Sequence, residues 1–144
     1  MSTLKEILQR KGRNVITAPP TTTVFDAIRT MAQRNVGALL VVEDEELIGL
    51  FSERDYLRKI ALKFRSSRKT AISEVMSSPV LCAKLDDDLE DCMAMMTKHH
   101  FRHLPILDGD ALCGIISIGD VIKYLLEEKK QELEQLSSYI AGGY

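Results

Sequence analysis

The sequence predicts an α/β protein, in the α+β sense of small sheets with helices beside them, built from two β-α-β-β-α repeats. Three observations predict it. The stretch GLFSERDYL over 49–57 returns as GIISIGDVI over 114–122, each copy reading Gly, two apolar residues, Ser, two variable residues, Asp. Gly49 and Gly114, Ser52 and Ser117, and Asp55 and Asp120 all stand at one constant separation, which is the mark of an ungapped internal duplication. Within each copy, apolar residues alternate between helical spacing and short continuous runs that suit buried strands.

Leu4, Ile7 and Leu8 fall at helical spacing in a charged segment closed by Gly12, so a brief amphipathic helix leads into the first repeat, with Ile72–Met76 as its counterpart. Val15–Ala18 reads as a short strand, stopped by Pro19-Pro20, which cannot continue a ladder. Thr23 caps a helix with Asp26 three residues on, and Val24, Ala27, Ile28, Met31 and Ala32 form its buried face until about Asn35. Ala38–Val42 and Leu47–Phe51 are apolar runs too short for helices and separated by acidic turn residues, hence two strands in a tight hairpin. Ser52 opens a second helix through Tyr56, Leu57, Ile60, Ala61 and Phe64.

The second repeat follows the same plan. Val80 and Leu81 answer Val15 and Ile16, Asp88 with Asp91 replaces the Thr23 and Asp26 cap, and Leu89, Cys92, Met93 and Met96 keep the core face apolar. Leu104–Leu107 and Ala111–Ile116 form a hairpin around Asp108-Gly109-Asp110, a turn sequence suited to positive φ. The last helix runs from about Asp120, and Leu125, Leu126, Leu133, Leu136 and Ile140 carry its apolar face past the end of the repeat, which suggests a partner subunit. The chain therefore divides into a first repeat with its lead-in helix (1–62), a basic polar linker (63–71), a second repeat (72–126) and a helical extension (127–144).

Composition narrows the function. At 144 residues, 45% hydrophobic and 28% charged, the chain is long enough for a real core without metal or disulfide. A net charge of −2 gives no general electrostatic case for nucleic acid or an anionic membrane. Cys82, Cys92 and Cys113 are an odd number without CxxC spacing, as expected of a reducing compartment. Charges interrupt the apolar residues at the N-terminus, and no run approaches a membrane span, so a soluble cytoplasmic protein is expected, with no membrane or nucleic-acid partner.

Ser-x-x-Asp at a strand-to-helix junction has a plain structural reading, in which Ser caps the helix and the acid sits in its first turn. The same arrangement also places a carboxylate, able to accept from two neighbouring ribose hydroxyls, beside helix N–H groups that suit phosphate. No nucleophile, base and acid stand in a catalytic arrangement, so no catalytic residue and no enzyme activity are expected. His99, His100 and His103 include an i, i+4 pair, but His103 belongs to a strand in the repeat alignment, and no metal site is expected. Met31, Met93, Met95 and Met96 read as helix packing.

The stretches GALLVVEDEELIGLFSERDYLRKIA and RHLPILDGDALCGIISIGDVIKYLL, the latter introduced by ISEVMSSPV, resemble a tandem pair of cystathionine-beta-synthase (CBS) domains, also called a Bateman module, over residues 4–126. The resemblance implies two repeats packed about a pseudo-twofold axis, with clefts between them that bind an adenine nucleotide such as AMP, ATP or NAD(H) as a regulatory ligand. Carried over by position, Ser52, Asp55, Ser117 and Asp120 would contact ribose and phosphate. Basic residues before the hairpin, here Arg102 and His103, would reach phosphate, and Gly37 and Ala38 in their place leave the first site to Arg54 for charge. Thr17, Val36 and Ile116 are candidates for an adenine slot and equally for ordinary core. The resemblance also implies pairing of two such modules, a homodimer. Because the repeats take up nearly all of the chain, the regulatory output is expected to pass to a separate effector protein. The competing reading is a ligand-free dimerisation or scaffold module in which both Ser-x-x-Asp pairs are only helix caps.

Overall fold

A computed structural model describes residues 3–12 and 14–142. Packing separates two compact units, one formed by Asn14–Cys82 and the other by the N-terminal helix with everything from Ala83 onward.

In the Asn14–Cys82 unit, β1 (Thr17–Ala18), α2 (Val24–Arg34), β2 (Ala38–Glu43) and β3 (Glu46–Ser52) are followed by a helical turn, α3 (Glu53–Asp55), which continues as a π-helix over Tyr56–Ala61. The sheet order is β1-β2-β3, with β1 parallel and β3 antiparallel to β2. Thr23 caps α2 by accepting from the Asp26 N–H, and Asn35 ends it at φ 55°, a left-handed residue type suited to that position. The β2–β3 turn places Asp44 and Glu45 at positive φ, as a two-residue primed hairpin requires. Val24, Ala27, Met31, Leu39, Val41, Phe51 and Ile60 close the core with Ile72 and Val75.

The other unit repeats this plan with α1 (Leu4–Lys11), β4 (Ala83–Lys84), α4 (Leu89–His99), β5 (His103–Asp108), β6 (Ala111–Ser117) and the long α5 (Ile118–Gly142). Its sheet order is β4-β5-β6, again one parallel and one antiparallel pairing. His100 ends α4 at φ 58°, as Asn35 ends α2, and Gly109 supplies the positive φ of the hairpin turn. Each hairpin even shifts register at the same place, between Val41 and Val42 and between Ile106 and Leu107.

The lead-in segments do not pack on the repeats that they precede in sequence. α1 buries Leu4, Ile7 and Leu8 among Leu89, Met96, Leu104 and Ile116, which belong to the repeat it does not precede. Ile72 and Val75 in turn pack on the first repeat's Phe51 and Val24. A helix of eight residues is marginal alone. Full burial of three large apolar side chains, at roughly 1.5–3 kcal/mol each, is what holds it in place.

Other local differences have simple causes. Ile72–Glu74 is a single 3-10 turn rather than a counterpart helix. The first repeat's last helix stops at Ala61, and Phe64, expected on its apolar face, lies outside it at φ 55° with its side chain exposed. The second parallel strand forms at Ala83–Lys84, just after Val80 and Leu81. Asp88 occupies the N-cap position of α4, but its side chain makes no capping bond; only its carbonyl accepts, from the Cys92 N–H.

Candidate functional site

Both Ser-x-x-Asp pairs fold as their spacing requires, at the point where the last strand of each sheet turns into a helix. At the first, Ser52 Oγ accepts from the Asp55 N–H at 3.3 Å, and Asp55 Oδ2 accepts from the Ser52 N–H at 3.0 Å. This is a reciprocal capping box. At the second, Ser117 Oγ accepts from the Asp120 N–H at 3.1 Å and Asp120 Oδ2 accepts from the Ser117 N–H at 2.8 Å. The backbone after each Ser is anchored alike, Glu53 N–H donating to Gly37 C=O and Ile118 N–H to Arg102 C=O, both at 3.0 Å.

The two carboxylates nevertheless live in different surroundings. Asp55 is buried, its side chain 8% exposed. Ser77 Oγ donates to its Oδ1 at 3.2 Å, the Ser52 hydroxyl donates to its Oδ2 at 3.1 Å, and Lys59 Nζ stands 3.1 Å from Oδ1. Ser77 is brought there because its backbone pairs with Leu50 of β3, N–H to C=O in both directions. Lys59 is held by a second bond, 2.8 Å to the Val75 carbonyl. Every oxygen of Asp55 is thus committed within its own unit.

Asp120 is more open, with its side chain 27% exposed. Its Oδ2 takes an ion pair from Lys11, the last residue of α1, and Lys11 Nζ also donates 2.6 Å to the Ile115 carbonyl. Burial opposes ionisation of Asp120, but the Lys11 ammonium and the Ser117 N–H outweigh it and hold the carboxyl below its ordinary value.

The remaining sequence candidates are spread unequally. His103 lies directly across the β5–β6 ladder from Ser117, and Arg102 precedes it with an exposed side chain, so both stand beside the Ser117–Asp120 pair. Ala38 occupies the same register opposite Ser52, so the first pair has no cation from that strand. Arg54 sits half-buried one residue from Asp55. Thr17 is exposed on β1, paired with Leu40, and Val36 is partly buried against the core of its unit. Ile116 is a correction: its side chain is wholly enclosed in the core with Leu8 and Leu104, so it packs and offers no surface to a ligand.

Three residues on these carboxylates went unread in the sequence. Lys59 stands four residues after Asp55, a spacing at which helical neighbours pair, and was the one legible signal. Ser77 and Lys11 come from the lead-in segments, and only packing brings them there. Among the described residues no group of His, Cys, Asp and Glu is arranged to hold a metal, and no helix is long and apolar enough to cross a membrane.

The CBS-domain family model matches residues 4–62 and 72–127, once over each repeat. The chain belongs to the CBS-domain family. It is 35% identical to the mitochondrial CBS domain-containing protein CBSX3 of Arabidopsis thaliana, over 99% of this chain and 74% of that one. Among solved CBS structures, the CBS-domain containing protein ATU1752 of Agrobacterium tumefaciens superposes with a TM-score of 0.81 at 34% identity, covering 85% of this chain and 98% of that one. CBSX2, solved in complex with AMP, superposes with a TM-score of 0.71 at 27% identity, covering 90% and 99% of the two chains. The two three-stranded sheets and their helices are thus those of a CBS pair.

Proposed function

We propose that this CBS pair is a non-enzymatic, cytoplasmic regulatory module that binds an adenine nucleotide, AMP, ATP or NAD(H), and passes the signal to a separate protein. The observation that carries the reading is the contrast between the two carboxylates. Asp120 keeps Oδ1 without a hydrogen-bond donor among the described residues, and Arg102 and His103 stand beside it; Asp55 is saturated by Ser52, Ser77 and Lys59. The Asp120 site is therefore the one assigned to ribose, with Ser117 and the start of α5 toward phosphate and Arg102 and His103 as charge-assisted donors. The AMP complex of CBSX2 supports the ligand class. Ligand binding regulates only if it favours one arrangement of the molecule over another.

The module acts as a homodimer in this reading. Leu133, Leu136 and Ile140 of α5 are all more than half exposed, at a spacing that gives one helical stripe, and a second copy of the same stripe covers them.

Calorimetric titration with AMP, ATP, NAD, NADH and S-adenosylmethionine tests the function. Saturable binding that disappears in Asp120→Ala and persists in Asp55→Ala is the expected result. The scaffold reading draws its support from the caps themselves, since both Ser-x-x-Asp pairs make the full set of capping bonds without any ligand. Absence of binding by all five ligands would establish it instead.

A further inference from the structure

Asp120 does not face an empty site. A cavity of about 510 Å³ in its unit is lined by Arg10, Lys11, Asp120, Lys123, Tyr124 and Glu127. Three of these are cations and two are acids. Arg10 is spoken for, paired with Glu127 at 3.2 Å and lying 4.8 Å over the Tyr124 ring. Lys123 has no acid partner among the described residues. Lys11 closes the arrangement by holding Asp120 Oδ2, which the Ser117 N–H also occupies.

We infer that Lys11 is a specificity-determining residue, a resident cation that a ligand must displace from Asp120 and that only a phosphorylated ligand can re-pair. The inference rests on the reading that Asp120 holds a ribose. A ribose diol spans a carboxylate with one hydroxyl on each oxygen, and since the Ser117 N–H and the Lys11 ammonium already occupy both lone-pair positions of Oδ2, that engagement requires the ammonium to leave. A nucleoside that evicts Lys11, whose side chain is 32% exposed, gives up an accessible ion pair and offers the ammonium no anion in return. A nucleotide brings a phosphoryl group that the displaced Lys11 ammonium can follow, so it exchanges one anion for another. The site then prefers AMP to adenosine by more than the phosphate's contacts with Arg102 and His103 alone, and the C-terminal end of α1 moves with the exchange.

The test compares AMP and adenosine by calorimetry on the full chain, in the native protein and in the Lys11→Met, Lys11→Gln and Lys11→Arg variants, with circular dichroism to confirm folding. Lys11→Gln keeps a donor toward the Ile115 carbonyl without the charge, so it reports even where Lys11→Met fails to fold. The native protein is expected to favour AMP. In both neutral variants adenosine binding should strengthen and AMP binding weaken, narrowing the ratio by about tenfold or more, the worth of one charge-assisted hydrogen bond. Lys11→Arg should restore the preference. A native protein that binds AMP with a ratio unchanged in the neutral variants would overturn the role of Lys11 and leave the nucleotide reading standing. Absence of binding of either compound to every form would remove both.

Discussion

Leu8 of the N-terminal helix lies so close over Gly114 that a Cβ built on the glycine would sit 2.8 Å from its Cδ2. Met76 stands over Gly49 in the same way. The glycine that begins each repeated motif is therefore a contact surface, hydrogen being the only side chain that admits the lead-in segment. Leu8 is fully buried and cannot retract, whereas Met76 is partly exposed and unbranched. Gly114→Ala should accordingly cost about 1–3 kcal/mol by overpacking, and Gly49→Ala less. Urea unfolding of the single variants and of Gly114→Ala with Leu8→Ala measures this. A double variant no better than the sum of the two singles would refute the contact.

The two motif carboxylates should separate stability from binding. Asp55→Ala removes a cap and strips Lys59 and Ser77 of a shared buried acceptor, and with Lys59 itself half-exposed the loss should be about 2 kcal/mol. Asp120→Ala removes a cap and an accessible ion pair and should cost nearer about 1 kcal/mol. Denaturation midpoints decide the order, and the reverse ranking would mean that the more buried site is not the structural one.

Acid should weaken the Asp120 corner. Its carboxyl is held below the ordinary value when folded, so the stabilisation is present above the unfolded-state value near about pH 4 and is lost as the pH falls through the folded value. Unfolding measured from neutral pH down to about pH 3 should show the native protein losing its advantage over Asp120→Asn across that interval. A constant difference between the two over the whole range would contradict the ion pair.

The exposed stripe on α5 predicts the assembly. Lys substitutions at Leu133 and Leu136 should convert a dimeric mass in light scattering to a monomeric one without loss of helicity, because both side chains are exposed within one copy of the chain. A monomeric native protein would discard the stripe as an interface.

Thiol chemistry should follow burial. Burial, helped by the acids Asp87, Asp91 and Asp88, pushes the Cys92 thiol up to about 11, so almost none of it is thiolate near neutral pH. Alkylation followed by mass spectrometry should label Cys113 and Cys82 well before Cys92, and early labelling of Cys92 would show that α4 opens.

Much of this is legible in the sequence. The constant spacing of Gly, Ser and Asp announced two copies of one unit, helical periodicity placed α2 and α4, and paired apolar runs placed both hairpins. Those signals are local: a cap, a turn or an amphipathic face is set by residues a few positions apart. What escaped was non-local or depended on burial. Phe64 has helical spacing but falls beyond the end of its helix, and Ile116, which the sequence leaves equally open to an adenine slot or to the core, is enclosed by the core.

The sequence by itself determined the duplicated β-α-β-β-α unit, both Ser-x-x-Asp caps, and the apolar face of α5 that outlasts its repeat. Only the tertiary structure decided that each lead-in segment packs on the repeat it does not precede, and hence that Ser77 bonds Asp55 while Lys11 pairs with Asp120. The physical reason is that hydrogen bonds within one turn of helix are dictated by covalent neighbours. Which cation meets which carboxylate depends instead on where three buried side chains, Leu4, Ile7 and Leu8, find an apolar surface to cover.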